Sequence, residues 1–418
     1  MAGTWKTRAI AAGAALLVVF AITAIIDTVS DGGTFVESAP ATETSRDEIT
    51  DAERGRLQAT GTTLETLAQD TSPAAVETTG DEAVSDPQPD LNRGSIEQFE
   101  SIRNVQSKFS RFASTNSAQL DLSQLTEAAP VYDNGGSTAG QFRVACEYSH
   151  FGYDDPIIFP GEPGRSHLHM FFGNTETNAF TTQDQLVNSG GGTCSGFELN
   201  RSGYWTPALL DGKGNAVVPD AIIIYYKTKF PNAVTAMPQG LKMLAGNTQA
   251  ESFQNDLYLF WSCGANGFAY GHTNRIPDCK GDVINASIQF PNCWDGVNLG
   301  AADFTSHLTY ANDQQSCPGS HPKRLPQISI LLYYPGVDSV NGWKLSSDDL
   351  GGFNGPPGGT LHADWWGGWN DEAMDLWIDG CMKASRNCSY GQTGTARQLA
   401  GLNPLEVYEG DNFLPLEG

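Results

Sequence analysis

The sequence predicts a mainly β fold: one β-sandwich or jelly-roll-like domain over residues 130–395, with long loops, disulfide bridges and a C-terminal helix. Three observations carry this prediction. Short segments rich in β-branched and aromatic residues are separated by loops rich in Gly, Asn, Asp and Pro. All 8 cysteines lie between Cys146 and Cys388. One clear amphipathic pattern lies close to the end of this region.

Five segments combine strand-forming residues with turn-forming flanks: 141–148, 221–226, 257–262, 283–289 and 328–334. The predicted helix covers residues 371–385. There, Met374, Trp377 and Cys381 fall on one helical face. Asn370 precedes this segment and is suited to cap its first turn, because an Asn side chain accepts hydrogen bonds from free backbone N–H groups.

The even number of cysteines predicts up to four disulfides, because paired cysteines are typical of proteins that fold outside the cytoplasm. No CxxC motif occurs in the sequence, which argues against redox and zinc-ribbon sites. We expect Cys381 to pair with Cys388 across a short loop, and Cys293 to pair with Cys317. The sequence leaves the other pairings open.

The N-terminus carries an export pattern. Lys6 and Arg8 precede an apolar run over residues 9–26, as in signal peptides. The length of this run lies between a signal-peptide core and a membrane span, so residues 1–26 are predicted to be a signal peptide or an N-terminal membrane anchor. In either case the rest of the chain is extracytoplasmic, secreted or anchored, and meets a membrane only through this segment.

Residues 27–94 are predicted to form a disordered acidic stalk rich in Thr, Ser and Ala. Counted through residue 95, this stretch holds 15 Asp and Glu against 4 Arg, with Phe35 as its one aromatic residue. So little apolar surface cannot offset the chain entropy lost on folding; a binding tail is the alternative. Residues 95–129 follow a helical pattern and are predicted to be a spacer, and residues 396–418 a C-terminal tail.

The formal net charge of the chain is −24. Residues 27–95 carry a net charge of −11, and Lys6 and Arg8 at the N-terminus carry +2. The rest of the chain therefore carries a net charge of about −15. A negative field repels phosphates, which argues against a nucleic-acid partner and against binding to an anionic membrane surface. Glycans such as cell-wall polysaccharides, cations and basic proteins remain open as partners.

His167 and His169 alternate within residues 164–174. On a strand they would point to the same face, about 6–7 Å apart along the chain. Two imidazoles so placed are candidate ligands of a divalent metal, the cofactor that this pattern suggests, or candidate catalytic groups that bind and protonate a substrate. A packed, hydrogen-bonded polar cluster is the alternative. Arg165 beside them is a candidate substrate-binding residue.

His362 and Asp364 alternate in the same way, so the carboxylate is placed to orient the imidazole or to bind beside it. Three tryptophans follow in a segment interrupted by glycines: Trp365, Trp366 and Trp369. Exposed indoles stack on sugar rings, which makes these residues a candidate glycan platform. A rigid aromatic corner packed under the terminal helix is the alternative.

Further candidate catalytic residues are His307, Asp295 and Asp303, which lie close together in the sequence. Glycoside hydrolysis requires two carboxyl groups at a defined separation. The sequence offers several without indicating a pair: Asp155, Glu162, Asp295, Asp303, Asp364 and Asp371. The sequence lacks the nucleophile elbow of α/β-hydrolases, the HExxH zinc motif, the P-loop and the dinucleotide-binding fingerprint.

Several motifs recur in one order along the domain. They are Asp155-Pro156, Ser166-His167-x-His169, Tyr204-Trp205-Thr206-Pro207, Leu244-Ala245-Gly246, Cys293-Trp294-Asp295-Gly296, His307, Ser320-His321-Pro322 and His362-x-Asp364. This order resembles DUF1996, a secreted bacterial and fungal family of unknown function. The resemblance covers about residues 140–385 and implies an exported, coherent domain whose His and Asp motifs form one set; it implies no reaction. Where the family pattern has Gly-Trp-Asp, this chain has Gly368-Trp369-Asn370.

Together these features suggest a polysaccharide-acting enzyme at the cell surface, a hydrolase or a lyase. Its polar cleft would contain His167, His169, His307, His362 and Asp364, with Asp295 and Asp303 as further carboxylates and the three tryptophans as a glycan platform. Two alternatives stay open: a non-catalytic module that binds a glycan or a protein and has structural histidines, and a divalent-metal-binding protein. All site hypotheses require these dispersed side chains to converge in the fold.

Overall fold

The computed structural model describes residues 125–127, 140–248, 250, 254, 257–264, 271–312, 316–350, 353–388, 390–399 and 410–416. The predicted export segment and acidic stalk lie outside these residues, as does nearly all of the predicted helical spacer. Within the part of the chain that is described, no helix is long and apolar enough to cross a membrane.

The strands, in chain order, are β1 (Thr126–Glu127), β2 (Gly140–Cys146), β3 (Tyr148–Gly152), β4 (His169–Gly173), β5 (Gly203–Pro207), β6 (Leu209–Leu210), β7 (Asn215–Val217), β8 (Ala221–Thr228), β9 (Lys242–Gly246), β10 (Leu259–Cys263), β11 (Ile284–Gln289), β12 (Cys293–Trp294), β13 (Leu308–Thr309), β14 (Lys323–Arg324), β15 (Gln327–Tyr334), β16 (Lys344–Leu345), β17 (His362–Trp366), β18 (Arg397–Gln398) and β19 (Phe413–Pro415). The helical segments are α1 (Gln183–Asn188), a 3-10 turn (Phe197–Leu199), α2 (Asp371–Trp377) and a π-helical turn (Ile378–Lys383).

Two five-stranded antiparallel sheets dominate the fold. We call the first, with strand order β10-β11-β15-β8-β2, the core sheet, and the second, with order β3-β4-β5-β17-β9, the site sheet. Smaller sheets have the orders β13-β12-β14 and β16-β6-β7-β19, and β1 pairs with β18. Because β18 and β19 join these small sheets, the described part of the predicted C-terminal tail packs with the folded domain.

The core sheet is built from the five segments that the sequence predicts as strands. Its central pair, β8 and β15, runs from Lys227 opposite Gln327 to Ala221 opposite Tyr333. β-branched and aromatic side chains suit a pleated, buried surface, which is why these runs were recognisable. The observed ends differ from the predicted ones by at most two residues; the first segment stops at Cys146, and a separate strand begins at Tyr148.

Inward-facing side chains of both large sheets belong to one hydrophobic cluster, with Ile224 and Ile330 from the core sheet and Met170 from the site sheet. The hydroxyl groups of Tyr204 and Tyr226, 2.7 Å apart, form a hydrogen bond between the two sheets. The predicted mainly β class is therefore confirmed. The strand order does not confirm the jelly-roll detail.

Four disulfides close loops of this domain: Cys146–Cys194, Cys263–Cys279, Cys293–Cys317 and Cys381–Cys388. The two pairings expected from the sequence are confirmed. All 8 cysteines of the chain are paired, which is consistent with an extracellular protein. Each bridge restricts the unfolded chain and contributes on the order of 3 kcal/mol of stability.

The predicted terminal helix is confirmed. The side-chain oxygen of Asn370 accepts the backbone N–H of Ala373 at 3.0 Å, and α2 then continues into the π-helical turn. Trp377 of α2 stacks on Phe142 of the core sheet with ring centroids 4.8 Å apart. Asn caps a helix as well as Asp does, so Asn370 fills this structural role where the resemblance led us to expect an Asp.

Candidate metal centre

The outer face of the site sheet carries three of the predicted polar site residues. Side chains alternate across a strand, and Met170 of β4 and Ala363 of β17 lie in the core. Their neighbours His169, His362 and Asp364 therefore lie on the outer face. β5 runs between the two strands that supply them. His167 lies two residues before the start of β4, outside the strand, and its ring is next to that of His169.

Three imidazoles converge at this place. Ring centroids are 4.1 Å apart for His167 and His169, 5.0 Å for His167 and His362, and 5.8 Å for His169 and His362. One ligand atom from each of the three lies within 4.8 Å of the others. All three side chains are buried, and His167, at 8 % exposure, is the most accessible.

The hydrogen bonds of two of these rings fix the direction in which they point. His169 donates from Nδ1 to the backbone carbonyl of Asp154 at 2.9 Å, and His362 donates from Nδ1 to the carbonyl of Thr360 at 2.7 Å. Each Nε2 then carries a lone pair. The Nε2 atoms of His167, His169 and His362 are buried and have no hydrogen-bond partner among the described residues. Metal-binding histidines are commonly held by a backbone carbonyl on one nitrogen in this way.

Gly246 makes room for this cluster. It lies opposite His362 in the pairing of β9 with β17 and has a φ of +89°. A Cβ atom at this position would lie 2.9 Å from both Cα and Cβ of His362. A glycine is therefore required where the strand passes the histidine.

Burial keeps the histidines neutral. It lowers the pKa of His169 to about 3 and the pKa of His362 to about 4, and it lowers the pKa of His167 well below its usual value. The positive charge of a neighbouring imidazole lowers the pKa of His167 and of His169 further. Neutral imidazole is the form that binds a metal, so these rings are ready to act as ligands at neutral pH.

Two carboxyl groups adjoin the histidines. One ligand atom from each of Asp155, His169 and Asp364 lies within 4.8 Å of the other two. Oδ1 of Asp155 accepts the N–H groups of Ile157 and Ile158, both at 2.9 Å, which fixes the carboxyl group against the loop after β3. Oδ1 of Asp364 is buried and has no hydrogen-bond partner in the described ranges.

The two carboxyl groups influence each other's protonation. Burial raises the pKa of Asp155 to about 6, although its backbone hydrogen bonds and the charge of Lys242 act in the opposite direction. Burial raises the pKa of Asp364 well above its usual range, and the negative charge of Asp155 raises it further. Both carboxyl groups therefore keep a proton to a higher pH than an ordinary aspartate does, as in other close, buried carboxyl pairs.

Lys242 and His307 border the site. The Nζ atom of Lys242 lies 4.2 Å from the ring centroid of Trp366, where the cation faces the indole. His307 donates from Nε2 to the backbone carbonyl of Lys242 at 2.7 Å. His307 therefore holds β9 in position and lies outside the two ligand groups formed by the other histidines and carboxyl groups.

The structure does not bring the remaining polar candidates into the cluster. Asp295 accepts backbone N–H groups of Val297 and Asn298, and Asp303 accepts the N–H of Ser306, so both carboxylates stabilise exposed turns. Arg165 forms an exposed ion pair with Glu162. The side chains of these residues are used in local loop contacts and lie outside the two ligand groups, and their roles as catalytic or substrate-binding residues stay predictions.

The expectation that Trp365, Trp366 and Trp369 are exposed is wrong. Trp365 and Trp369 are 0 % exposed, and Trp366 is 3 % exposed. Trp369 donates from Nε1 to the hydroxyl of Tyr226 at 3.0 Å and meets Trp377 edge-on, so the packed aromatic corner is the arrangement observed. Buried rings cannot offer a stacking platform for a sugar.

Sequence reasoning missed three features of the site. It named Asp155 among many carboxylates but did not pair it with Asp364, and it did not single out Lys242. It also missed the carbonyl groups of Asp154 and Thr360 that orient the rings. Asp155-Pro156 and His362-x-Asp364 both belong to the ordered set of motifs, and this was the one sequence signal that could have linked the two carboxyl groups. No sequence pattern predicts which backbone carbonyl groups orient the histidine rings.

Comparison with known proteins gives one family match. Residues 155–369 match a family described as a domain of unknown function (DUF1996), and this range includes both carboxyl groups and all three histidines of the cluster. No curated protein matches, and no solved structure matches.

Proposed function

The chain belongs to the DUF1996 family, and because that description assigns no activity, we propose its function from the site itself: an extracytoplasmic divalent-metal enzyme. In this proposal His167, His169 and His362 bind the ion through Nε2. One of Asp155 and Asp364 completes the ligand set, and the other transfers protons. The substrate is a polysaccharide, and the reaction is hydrolysis or elimination.

The observation that carries the proposal is the convergence of three buried imidazoles, each of which has an Nε2 atom without a partner in the described part of the chain. An unpaired buried polar atom costs about 1–3 kcal/mol, and three at one point are difficult to explain in a purely structural cluster. Three histidine nitrogens are a ligand set that Zn²⁺ uses in catalytic sites, and one ligand atom from each of these three histidines lies within 4.8 Å of the others.

The ligand set favours a first-row transition metal over Mg²⁺ or Ca²⁺, because imidazole nitrogen suits Zn²⁺, Cu²⁺ or Ni²⁺ and the harder cations prefer oxygen. Such an ion polarises a substrate oxygen and lowers the pKa of a bound water. The carboxyl group that does not bind the ion is positioned as general base or acid, since burial raises the pKa of Asp155 to about 6 and the pKa of Asp364 well above its usual range. Lys242 supplies a positive charge next to Asp155.

The first experiment measures metal in the purified full-length chain. We expect about one transition-metal ion per chain by elemental analysis, removal by a chelator, and recovery on adding Zn²⁺. His169→Ala and His362→Ala should lose the ion. His321→Ala is the matched control, because the nitrogens of His321 bond to Ser320 and Ser306 outside the cluster. A metal-free chain that also takes up no added Zn²⁺, Cu²⁺ or Ni²⁺ would contradict the proposal.

The second experiment tests the reaction on a panel of cell-wall and capsular polysaccharides. Hydrolysis gives new reducing ends alone, whereas elimination also gives an unsaturated product that absorbs in the ultraviolet. Asp155→Asn and Asp364→Asn should both abolish turnover, and only the variant that removes the ligand should also release the ion. If the loaded protein cleaves no polysaccharide but binds one equally well with and without metal, the binding-module alternative is correct.

A further inference from the structure

A cleft of about 410 Å³ lies next to the proposed metal centre. It is lined by the end of β3, by residues 174–181 and by α1. Asp154 connects the two places. Its side chain lines the cleft, its backbone carbonyl accepts from His169, and the next residue is Asp155.

The wall of this cleft is held in shape by its own polar side chains. Asn174 donates to the carbonyl groups of Leu186 and Ser189 at 2.8 and 2.9 Å and accepts the N–H of Glu176 at 2.8 Å. The start of α1 is fixed by a capping box, in which the side chains of Thr182 and Gln185 each bond to the other's backbone N–H. A loop organised in this way loses little entropy when a ligand binds.

An aromatic ring stands at the opening. Phe180 lines the cleft and is 59 % exposed, which makes it one of the few large apolar side chains left in solvent. The same segment fixes its backbone, because the N–H of Phe180 donates to the side chain of Asn178 at 2.9 Å. A rigid, exposed ring beside polar groups is the arrangement that stacks on the apolar face of a sugar.

The acidic residues of the cleft favour neutral sugars over anionic ones. Asp154 and Glu176 are its acidic lining residues, and none of its lining residues, all of them within the described ranges, is Lys or Arg. The carboxylate of Asp154 is oriented by the N–H groups of Gly164 and Ala179, both at 3.1 Å. An anionic chain such as a polyuronate would meet unbalanced repulsion here, whereas a neutral chain would find hydrogen-bond acceptors for its hydroxyl groups.

We propose that this cleft binds a neutral saccharide chain, with a sugar ring stacked on Phe180 and hydroxyl groups bonded by Glu176 and Gln185. This inference rests on the proposed function and deepens it by naming the class of substrate that would reach the metal centre. Because β-elimination of a glycosidic bond requires a uronic acid, a neutral substrate leaves hydrolysis as the reaction. The binding step itself needs no metal, so the two proposals are tested separately.

The experiment measures binding of the full-length chain to neutral glucans, mannans, xylans and galactans, and to polygalacturonate as the anionic probe, by affinity electrophoresis and calorimetry. At least one neutral glycan should bind, and polygalacturonate should not. Phe180→Ala should weaken that binding by about tenfold, the effect of losing roughly 1.4 kcal/mol of stacking and contact. Phe230→Ala is the matched control, because Phe230 is also exposed, at 39 %, and lies outside the cleft.

Two further variants complete the test. Glu176→Lys should admit polygalacturonate, because it reverses the charge at the opening. His362→Ala should lose the metal and keep the affinity for the neutral glycan, so failure of the metal proposal would leave this result intact. Equal binding by Phe180→Ala and the unchanged chain, or binding of polygalacturonate as tight as that of every neutral glycan, would overturn the proposal.

Discussion

The core sheet and the site sheet have the same number of strands and the same antiparallel pairing, yet their sequences differ in kind. β8 and β15 of the core sheet are runs of Ile, Leu and Tyr. β4 and β17 of the site sheet carry His, Asp, Gly and Trp among fewer aliphatic residues. One sheet is composed to bury apolar surface, whereas the other gives up part of that stabilisation to hold ionisable groups at fixed positions.

The largest expected difference concerns packing. Ile224→Ala removes a fully buried side chain from the middle of the core sheet and should lower the free energy of unfolding by about 3 kcal/mol, within the usual range of 2–5 for such changes. Urea denaturation monitored by tryptophan fluorescence measures this loss. Val297→Ala, at a position 77 % exposed, should stay within about 0.5 kcal/mol of the unchanged protein. Equal losses would remove the distinction between core and surface.

The same contrast explains which parts of the fold were predictable. All five core-sheet strands follow from local composition, because β-branched and aromatic runs bounded by turns have few other stable conformations. The site-sheet strands were harder to assign. Tyr204-Trp205-Thr206-Pro207 is not among the five predicted strand segments, but β5 is a central strand of that sheet.

The candidate site was predictable only in part. Alternation placed His167 with His169, and His362 with Asp364, because two-residue periodicity is a local property of a strand. Bringing the two pairs together requires β5 to lie between β4 and β17, which is a long-range pairing that no local pattern encodes. The exposure of the tryptophans was mispredicted for a related reason: burial depends on what α2 and the core sheet place over them.

The second prediction concerns how the stability of the metal-free chain, prepared with a chelator, depends on pH. The folded pKa values of His169 and His362, about 3 and about 4, lie below the unfolded value of 6.5 because burial disfavours the charged ring. Their contribution to stability is therefore fully present above pH 6.5 and is lost as pH falls toward 4. Asp155 acts in the opposite direction, since its raised pKa of about 6 favours the folded state as pH falls below that value. Burial also lowers the pKa of His167 and raises the pKa of Asp364, so three imidazoles oppose two carboxyl groups. We expect a net loss of stability between pH 7 and pH 4.

Unfolding by urea at a series of pH values measures this loss of stability. Two variants separate the contribution of the histidines from that of the carboxyl groups. His362→Gln should flatten the curve, because it removes one group that must remain neutral in the folded state. Asp155→Asn should steepen it, because the opposing contribution disappears. A metal-free chain whose stability is constant from pH 7 to pH 4, with neither variant changing the slope, would show that the cluster is hydrated rather than desolvated.

The smallest expected effect is a gain in stability at the site sheet, with the opposite sign to the core-sheet substitution. Asp364→Asn replaces a buried acid, whose pKa is raised by burial and by the charge of Asp155, with a neutral side chain of the same shape. In the metal-free chain this should raise the free energy of unfolding by about 1 kcal/mol, because the cost of burying an ionisable group is removed. Asp220→Asn is the matched control: Asp220 is also largely buried, but its carboxylate accepts from the side chain of Asn412 at 2.9 Å, so its replacement should give no gain. If Asp364→Asn instead destabilised the metal-free chain as much as Ile224→Ala does, the carboxyl pair would be part of the packing of the sheet, and the two sheets would not differ in the way their sequences suggest.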